Sequence, residues 1–369
     1  MTLRKILLGT TAVVGVGLTV AAVPTVVGAA EVKPGGYPDL TLTGFARFRA
    51  HGGEIDDARL NNAFSRDLDF SNDTEVHVVA RAKDERTGIE YGGTIEFEAD
   101  TNSTANTDES WLFVRGGFGE VRLGDEDGVA HDSEVGGNTI AAGTGGIDGS
   151  VIDTIATPVV FLTNTDDATK IRYYTPSFGG FQIAVSYTPQ DQIVGSGAAN
   201  GDALATKGVE AQNVVDGGLI YKGEFAGVGV LASVVGITGD LKGSSVFGDG
   251  SWHGWQAGAS VDLFGFKVAG SYGDEKVADA DRTWITAGAA YGIGPANVSV
   301  SFGKVIDDNG FWAGRKPYNL VFSADYALMP GLVLAGDVGF FDNSARPGRT
   351  IGAVGDSGWQ AVGRLGLAF

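Results

Sequence analysis

The stretch LTLTGFARFRAH (40–51) decides the fold. Leu40, Leu42, Ala46 and Phe48 share one parity, Thr41, Thr43, Arg47 and Arg49 the other, and Phe45 is the exception. Side chains alternate across an extended strand, so the segment offers one apolar face and one charged face. A spanning helix needs about 20 apolar residues, and no run after the first thirty reaches that length. A strand with lipid on one face and water on the other needs only this alternation.

Working outward, the same pattern recurs at TEVHVVARAK (74–83), YGGTIEFEA (91–99), SWLFVRG (110–116), EVRLG (120–124), KIRYYT (170–175), FQIAVSY (181–187) and VVDGGLIYK (214–222). It continues at FAGVGVLASVV (225–235), GWQAGASVDL (254–263), FKVAGSYG (266–273), RTWITAGAAY (282–291), NVSVSFGKV (297–305), YNLVFSADYA (318–327), LVLAGDVGFF (332–341) and GWQAVGRLGLAF (358–369). These make sixteen strands, an even number, so the first and last can pair antiparallel and leave no open edge in hydrocarbon. Short turns (ERTG, GGFG, PSFGG, KGE, FG, GIGPA, MPG) alternate with long polar loops near 52–73, 100–109, 125–169, 188–213, 236–253, 274–281, 306–317 and 342–357. The expectation is an all-β, sixteen-stranded antiparallel transmembrane barrel, with short turns at the periplasmic end and long loops outside. Tyr173, Phe181, Tyr187, Tyr221, Phe225, Trp255, Phe264, Tyr291, Tyr326 and Trp359 fall at strand ends, where interfacial aromatic girdles belong. Phe369 ends the last alternating strand after Leu365 and Leu367 and reads as an assembly signal.

The first thirty residues read as a secretory signal peptide: Arg4 and Lys5, an apolar stretch over 6–23, and the small residues Val27-Gly28-Ala29-Ala30. Residues 31–369 then form one barrel domain. Without the leader the chain loses two basic and no acidic residues, and its formal charge moves from −19 to −21. Such an acidic chain is a poor partner for nucleic acid or for an anionic surface. The absence of cysteine excludes a disulfide scaffold, a thiolate metal site and a Cys nucleophile. Fifty-nine glycines among 369 residues follow no Gly-X-Y period, so collagen is excluded.

KIRYYTPSFGGFQIAVSYTP (170–189) resembles the Gram-negative general porins, in particular their alphaproteobacterial, Rhodobacter-like type, and RGGFGEVRLGDED (115–127) resembles the hairpin that leads into their third loop. The resemblance extends loosely from Leu40 to Phe369. It implies a homotrimer in the outer membrane of a Gram-negative bacterium, a third extracellular loop folded into the lumen, and opposite charges facing each other at the constriction. Passive diffusion of small hydrophilic solutes and ions would be the function, with the barrel assembly machinery and outer-membrane lipid as partners.

The third loop, about 125–169, is the longest and carries Asp125, Glu126, Asp127, Asp132, Glu134, Asp148, Asp153, Asp166 and Asp167 with no basic residue. Loops of that length without structure of their own are uncommon unless functional. By parity the lumen receives Arg47, Arg49, Arg81, Lys83, Arg115, Arg122, Lys170, Arg172 and Arg364, a basic wall opposite the acidic loop. Glu75, Glu96 and Glu98 are the candidates to neutralise those arginines and Lys83.

Other chemistry is poorly supported. His51, His77, His131 and His253 are scattered and form no zinc motif. His131-Asp132-Ser133 are consecutive, a spacing that denies a triad its geometry. GVGVLA (227–232) lies within a strand rather than at a strand-to-helix turn, so it is no dinucleotide fingerprint. Asp125 and Asp127 are weak calcium candidates without the EF-hand spacing; otherwise no metal or cofactor is expected. The alternatives to a general porin are a substrate-selective channel for a sugar or an anion and, further off, an outer-membrane barrel enzyme. No aromatic run lines the inward positions, which disfavours a sugar slide, and no enzymatic activity is expected.

Overall fold

The computed structural model describes residues 38–55, 68–99, 107–149, 160–191, 211–242, 248–310, 316–342 and 357–369. The leader and Asp153 lie outside them. Sixteen strands close into one antiparallel barrel: β1 (Asp39–Ile55), β2 (Asp69–Lys83), β3 (Glu90–Glu98), β4 (Ser110–Gly116), β5 (Gly119–Asp125), β6 (Thr169–Tyr174), β7 (Phe181–Asp191) and β8 (Ala211–Phe225). The circuit continues with β9 (Val228–Leu241), β10 (Gly250–Leu263), β11 (Phe266–Val277), β12 (Ala280–Ile293), β13 (Ala296–Asn309), β14 (Tyr318–Met329), β15 (Leu332–Asp342) and β16 (Ser357–Ala368). Closure runs through β1 and β16, with Arg49 opposite Arg364 and Phe45 opposite Ala368. Gly44 and Phe369 exchange backbone hydrogen bonds of 2.9 and 3.0 Å. A Cβ on Gly44 would stand 2.2 Å from the Glu75 carbonyl oxygen and 3.2 Å from the Phe369 ring, so glycine is what lets the terminal aromatic lie across β1.

Alternation sorts the two faces as expected. Leu42, Phe48, Leu112, Leu123, Ile171, Ile183, Leu219, Phe322, Leu334, Leu365 and Leu367 are exposed on the outside, where they meet lipid. The exceptional Phe45 keeps its parity and points inward, under the Arg47 guanidinium at 3.5 Å from ring centre to Cζ. Outside, aromatic rings pair across strands near the short turns, as with Phe181 and Tyr221 at 4.7 Å and Phe266 and Tyr291 at 6.4 Å.

Two connections differ from the sequence expectation. The hairpin after β8 turns at Ala226-Gly227 rather than at KGE, with both residues at positive φ (52° and 81°), the geometry that matches the twist of flanking strands. The long loop expected over 274–281 is a two-residue turn at 278–279, because β11 and β12 stay paired up to Val277 and Ala280. Strands β3 to β6 are short, 9, 7, 7 and 6 residues, whereas β8 to β13 run to 12–15. The wall is therefore low on one side.

The buried apolar core lies inside the barrel. Ala130, Ile147, Val160 and Leu162 of the third loop pack with Val214, Val235, Trp252, Trp284, Val321 and Val362 from the inward faces of β8, β9, β10, β12, β14 and β16. The third loop folds into the lumen, with a short helix α1 (Val129–Ser133) and a 3-10 turn (Gly146–Asp148).

Candidate functional site

The loop enters the lumen between β5 and β6 and lies along the far wall. Its backbone N–H groups need partners, and inward polar side chains of successive strands supply them. Asp216 on β8 accepts from Ala130 at 2.8 Å, and Thr286 on β12 from Gly137 at 2.8 Å. Ser299 and Ser301 on β13 accept from Ala142 and Ile147 at 2.8 and 3.1 Å, and Asp325 on β14 accepts from Gly143 at 3.0 Å. Asp337 on β15 takes the Thr144 N–H at 3.1 Å, its hydroxyl at 2.5 Å and the Gly146 N–H at 3.3 Å. The fit is close: a Cβ on Gly258 would fall 1.7 Å from the Val135 carbonyl oxygen.

This placement divides the expected basic wall. Lys170, Arg172 and Arg364 point inward but lie beneath the loop and line no open water. Arg172, 1% exposed, donates to Glu126 at 2.8 Å, to the Asp127 carbonyl at 2.8 Å, and to Asp132 and Tyr174. Lys170 reaches the carbonyls of Glu126 and Asp166, and Arg364 donates to the Gly143 carbonyl at 3.0 Å. Arg81 and Lys83 remain exposed, and Arg47, Arg49, Arg115 and Arg122 are partly exposed.

Among the described residues, the arginines pair with acids other than the expected Glu75 and Glu96. Arg47 and Arg49 share Asp73, with the Arg47 bond at 3.1 Å. Arg115 pairs with Glu90 at 2.5 Å, and Arg122 with Glu120 at 2.5 Å and Glu126 at 3.1 Å. Register is the reason, since Arg47 sits opposite Asp73 and Arg115 opposite Glu90, while Glu96 sits opposite His77. Counting residues outward from the tight turn at 84–89 predicts the His77–Glu96 pairing; nothing local flags Asp216, Asp325 or Asp337 as anchors.

The acids of the third loop separate too. Asp125 ends β5 on the outward parity of Leu123, where the Thr169 hydroxyl bonds to it, so it does not face the lumen. Glu126 and Glu134 are buried; Glu134 accepts from Asn138 and Gln256, both at 3.2 Å. Burial pushes the Glu134 carboxyl up to about 8. Burial works against charge on His131, yet Asp127, Glu134, Asp132 and Asp148 around it prevail and raise it to about 9. Asp127, His131, Asp132 and Asp148 keep some exposure toward the lumen. Asp127, Asp166 and Asp167 bring one carboxylate oxygen each within 4.8 Å of one another, so the calcium candidate Asp127 is grouped with these two rather than with Asp125. Burial and neighbouring acids push Asp167 up to about 8 and Glu109 to about 9.

The family model described as Gram-negative porin matches residues 12–346. A major outer membrane protein P.IB of Neisseria sicca is 27% identical over 251 residues, covering 62% of this chain and 66% of that one. Among solved structures, an anion-selective porin from Comamonas acidovorans superposes with a TM-score of 0.63 at 18% identity, covering 89% of this chain and 99% of that chain. The trimer form of the outer membrane protein OmpT from Vibrio cholerae superposes with a TM-score of 0.58 at 12% identity, with 89% and 99% coverage.

Proposed function

The chain belongs to the Gram-negative porin family and forms an outer-membrane channel for passive diffusion, and from that premise we propose that its solute path runs between the third loop and the β1–β5 wall. One observation carries this reading: the inward Arg47, Arg49, Arg81, Lys83 and Arg115 on β1–β4 keep contact with open space, whereas the largest inward side chains on the opposite wall, Trp252, Trp284, Arg282 and Glu275, are sealed. Small hydrophilic solutes pass Arg47, Arg49, Arg81, Lys83 and Arg115 on one side and Asp132 and Asp148 on the other. The field across the path is weaker than a bare basic wall would give, because Asp73 and Glu90 neutralise part of it at contact distance. The path carries diffusion, not catalysis, and needs no cofactor.

The same reading makes the protein a homotrimer, supported by the family and by the small outward residues Ala46, Ala80 and Ala82 on β1 and β2, which allow close approach. It makes Phe369 an element of barrel assembly rather than of conduction, supported by its outward parity with Leu365 and Leu367 and by its seat on Gly44.

Planar-bilayer recordings test the path. Replacing Arg47, Arg49 and Arg81 together by Ser is expected to move the zero-current potential toward cations in dilute salt. The shift should shrink at 1 M salt, where the Debye length falls to about 3 Å from about 8 Å at physiological ionic strength. A folded triple variant with unchanged selectivity in dilute salt places the path elsewhere.

A further inference from the structure

Passive diffusion does not account for one arrangement on β2 and β3. The turn at 84–89 sets Lys83 opposite Glu90, and the register above it brings His77 opposite Glu96 and Glu75 opposite Glu98. Residues 75 and 77 share the inward face of one strand, and 96 and 98 that of its neighbour. The His77 Nε2 lies 2.8 Å from Glu75 Oε2 and 3.6 Å from Glu96 Oε2. One donor atom from each of the three falls within 4.8 Å of the others. In a tetrahedral ion with bonds of about 2.0–2.1 Å, neighbouring donors stand about 3.3 Å apart. The two spacings straddle that value, so small side-chain shifts would seat an ion.

The surroundings suit a cation. Phe45 meets the His77 ring edge-on at 6.2 Å and limits its rotation. All three side chains are partly exposed to the lumen, which leaves a coordination position for water. Glu75, Glu98 and Asp108 form a second group of carboxylates within 4.8 Å and deepen the negative potential. The donor set also discriminates. Calcium takes six to eight oxygen ligands and magnesium keeps most of its waters, whereas one imidazole nitrogen with two carboxylates suits a borderline transition metal.

We propose that Glu75, His77 and Glu96 form a binding station for a divalent transition-metal cation of the zinc class on the lumen wall. It rests on the porin reading only in that the ion arrives through the lumen; binding itself does not require conduction. An open site with three protein donors holds an ion while leaving it exchangeable, as a station along a conduction path requires.

Isothermal titration of the untagged, folded full-length mature chain, stripped with EDTA and titrated with zinc chloride, tests the station. The expected result is one saturable site per chain, not displaced by millimolar calcium. His77→Gln and Glu96→Gln should each weaken zinc binding by roughly tenfold or more, judged from the 10- to 100-fold losses typical when even outer-shell partners are removed. Heat-modifiable electrophoretic mobility checks that each variant folds. Absence of saturable zinc binding, retention of wild-type affinity by folded His77→Gln, or displacement of zinc by equimolar calcium would overturn the proposal. Bilayer conductance of the wild type in EDTA reports on the channel separately: a conducting protein that binds no zinc defeats the station alone, and a zinc-binding protein that does not conduct defeats the channel reading alone.

Discussion

Both halves of the lumen wall point polar side chains inward and use them differently. On β1–β5 the inward side chains include Arg47 and Arg49 with Asp73, and Arg115 with Glu90, paired in contacts that stay open to water, with Arg115 34% exposed. On β8–β15 they are Asp216, Thr286, Ser299, Ser301, Asp325 and Asp337, all buried and bonded to the backbone of the third loop. A polar residue facing into a barrel therefore has two possible partners, water or another piece of the chain. Strand parity reports the direction and not the partner.

The largest consequence should appear where the loop is held by buried charge. Arg172 serves Glu126, Asp132 and a loop carbonyl from a fully enclosed position, and removing one partner of a buried pair costs about 3–5 kcal/mol. Arg172→Ala is expected to lower the unfolding free energy measured in urea by that amount and to make single-channel current noisy as the loop loses its root. On the open side, Asp73→Asn removes one shared partner from Arg47 and Arg49, which remain partly hydrated, and a cost of about 1 kcal/mol is expected. Equal losses at the two sites would erase the distinction between the halves.

A smaller effect is expected at the other end of the loop. Asp337 accepts two N–H groups and a hydroxyl there, and hydrogen bonds to a charged group contribute about 1.5–3 kcal/mol. Asp337→Ala should release the segment near Thr144 and raise mean conductance, because the freed loop no longer fills the far half of the lumen. Unchanged conductance with a lower unfolding midpoint would show that Asp337 supports the wall and not the loop's position.

These contacts mark the limit of what the sequence makes legible. All sixteen strands, their facing and the inward fold of the third loop follow from alternation, turn chemistry and the resemblance at 115–127 and 170–189. Hairpin register follows too, once residues are counted from a tight turn, as His77 and Glu96 illustrate. The docking of the loop does not follow, since its anchors lie from 86 residues away, for Ala130 and Asp216, to 193, for Thr144 and Asp337. No local period encodes such a pairing, and a serine that meets water looks the same in sequence as Ser299. Extra pairing at the strand ends was hidden for a related reason: polar residues such as Asp274 and Glu275 read as loop, but Glu275 is buried by Trp252 and Arg282 at 2.9 and 3.0 Å.

The smallest effect is a pH dependence carried by the third loop. His131, held among Asp127, Glu134, Asp132 and Asp148, titrates near 9 in the folded protein against 6.5 in an unfolded chain. The folded state thus holds a proton that the unfolded state releases, and stability falls with rising pH wherever the native state binds more protons. The His131 contribution is fully present below pH 6.5 and is lost as pH rises through about 9. Glu134 acts in the same direction, because burial raises its carboxyl from 4.5 to about 8 and ionisation then disfavours the packed loop. Loop anchoring, read as current noise or as resistance of the loop to proteolysis, should weaken from pH 4.5 upward through Glu134, most steeply between pH 6.5 and about 8 where both groups act, and level off near 9. His131→Gln should flatten the upper part of that profile and leave the share carried by Glu134. A profile unchanged by His131→Gln would move the proton uptake to Asp167 and Glu109, also raised, to about 8 and about 9, at the edge of the open half, and the two walls would then differ in packing but not in proton linkage.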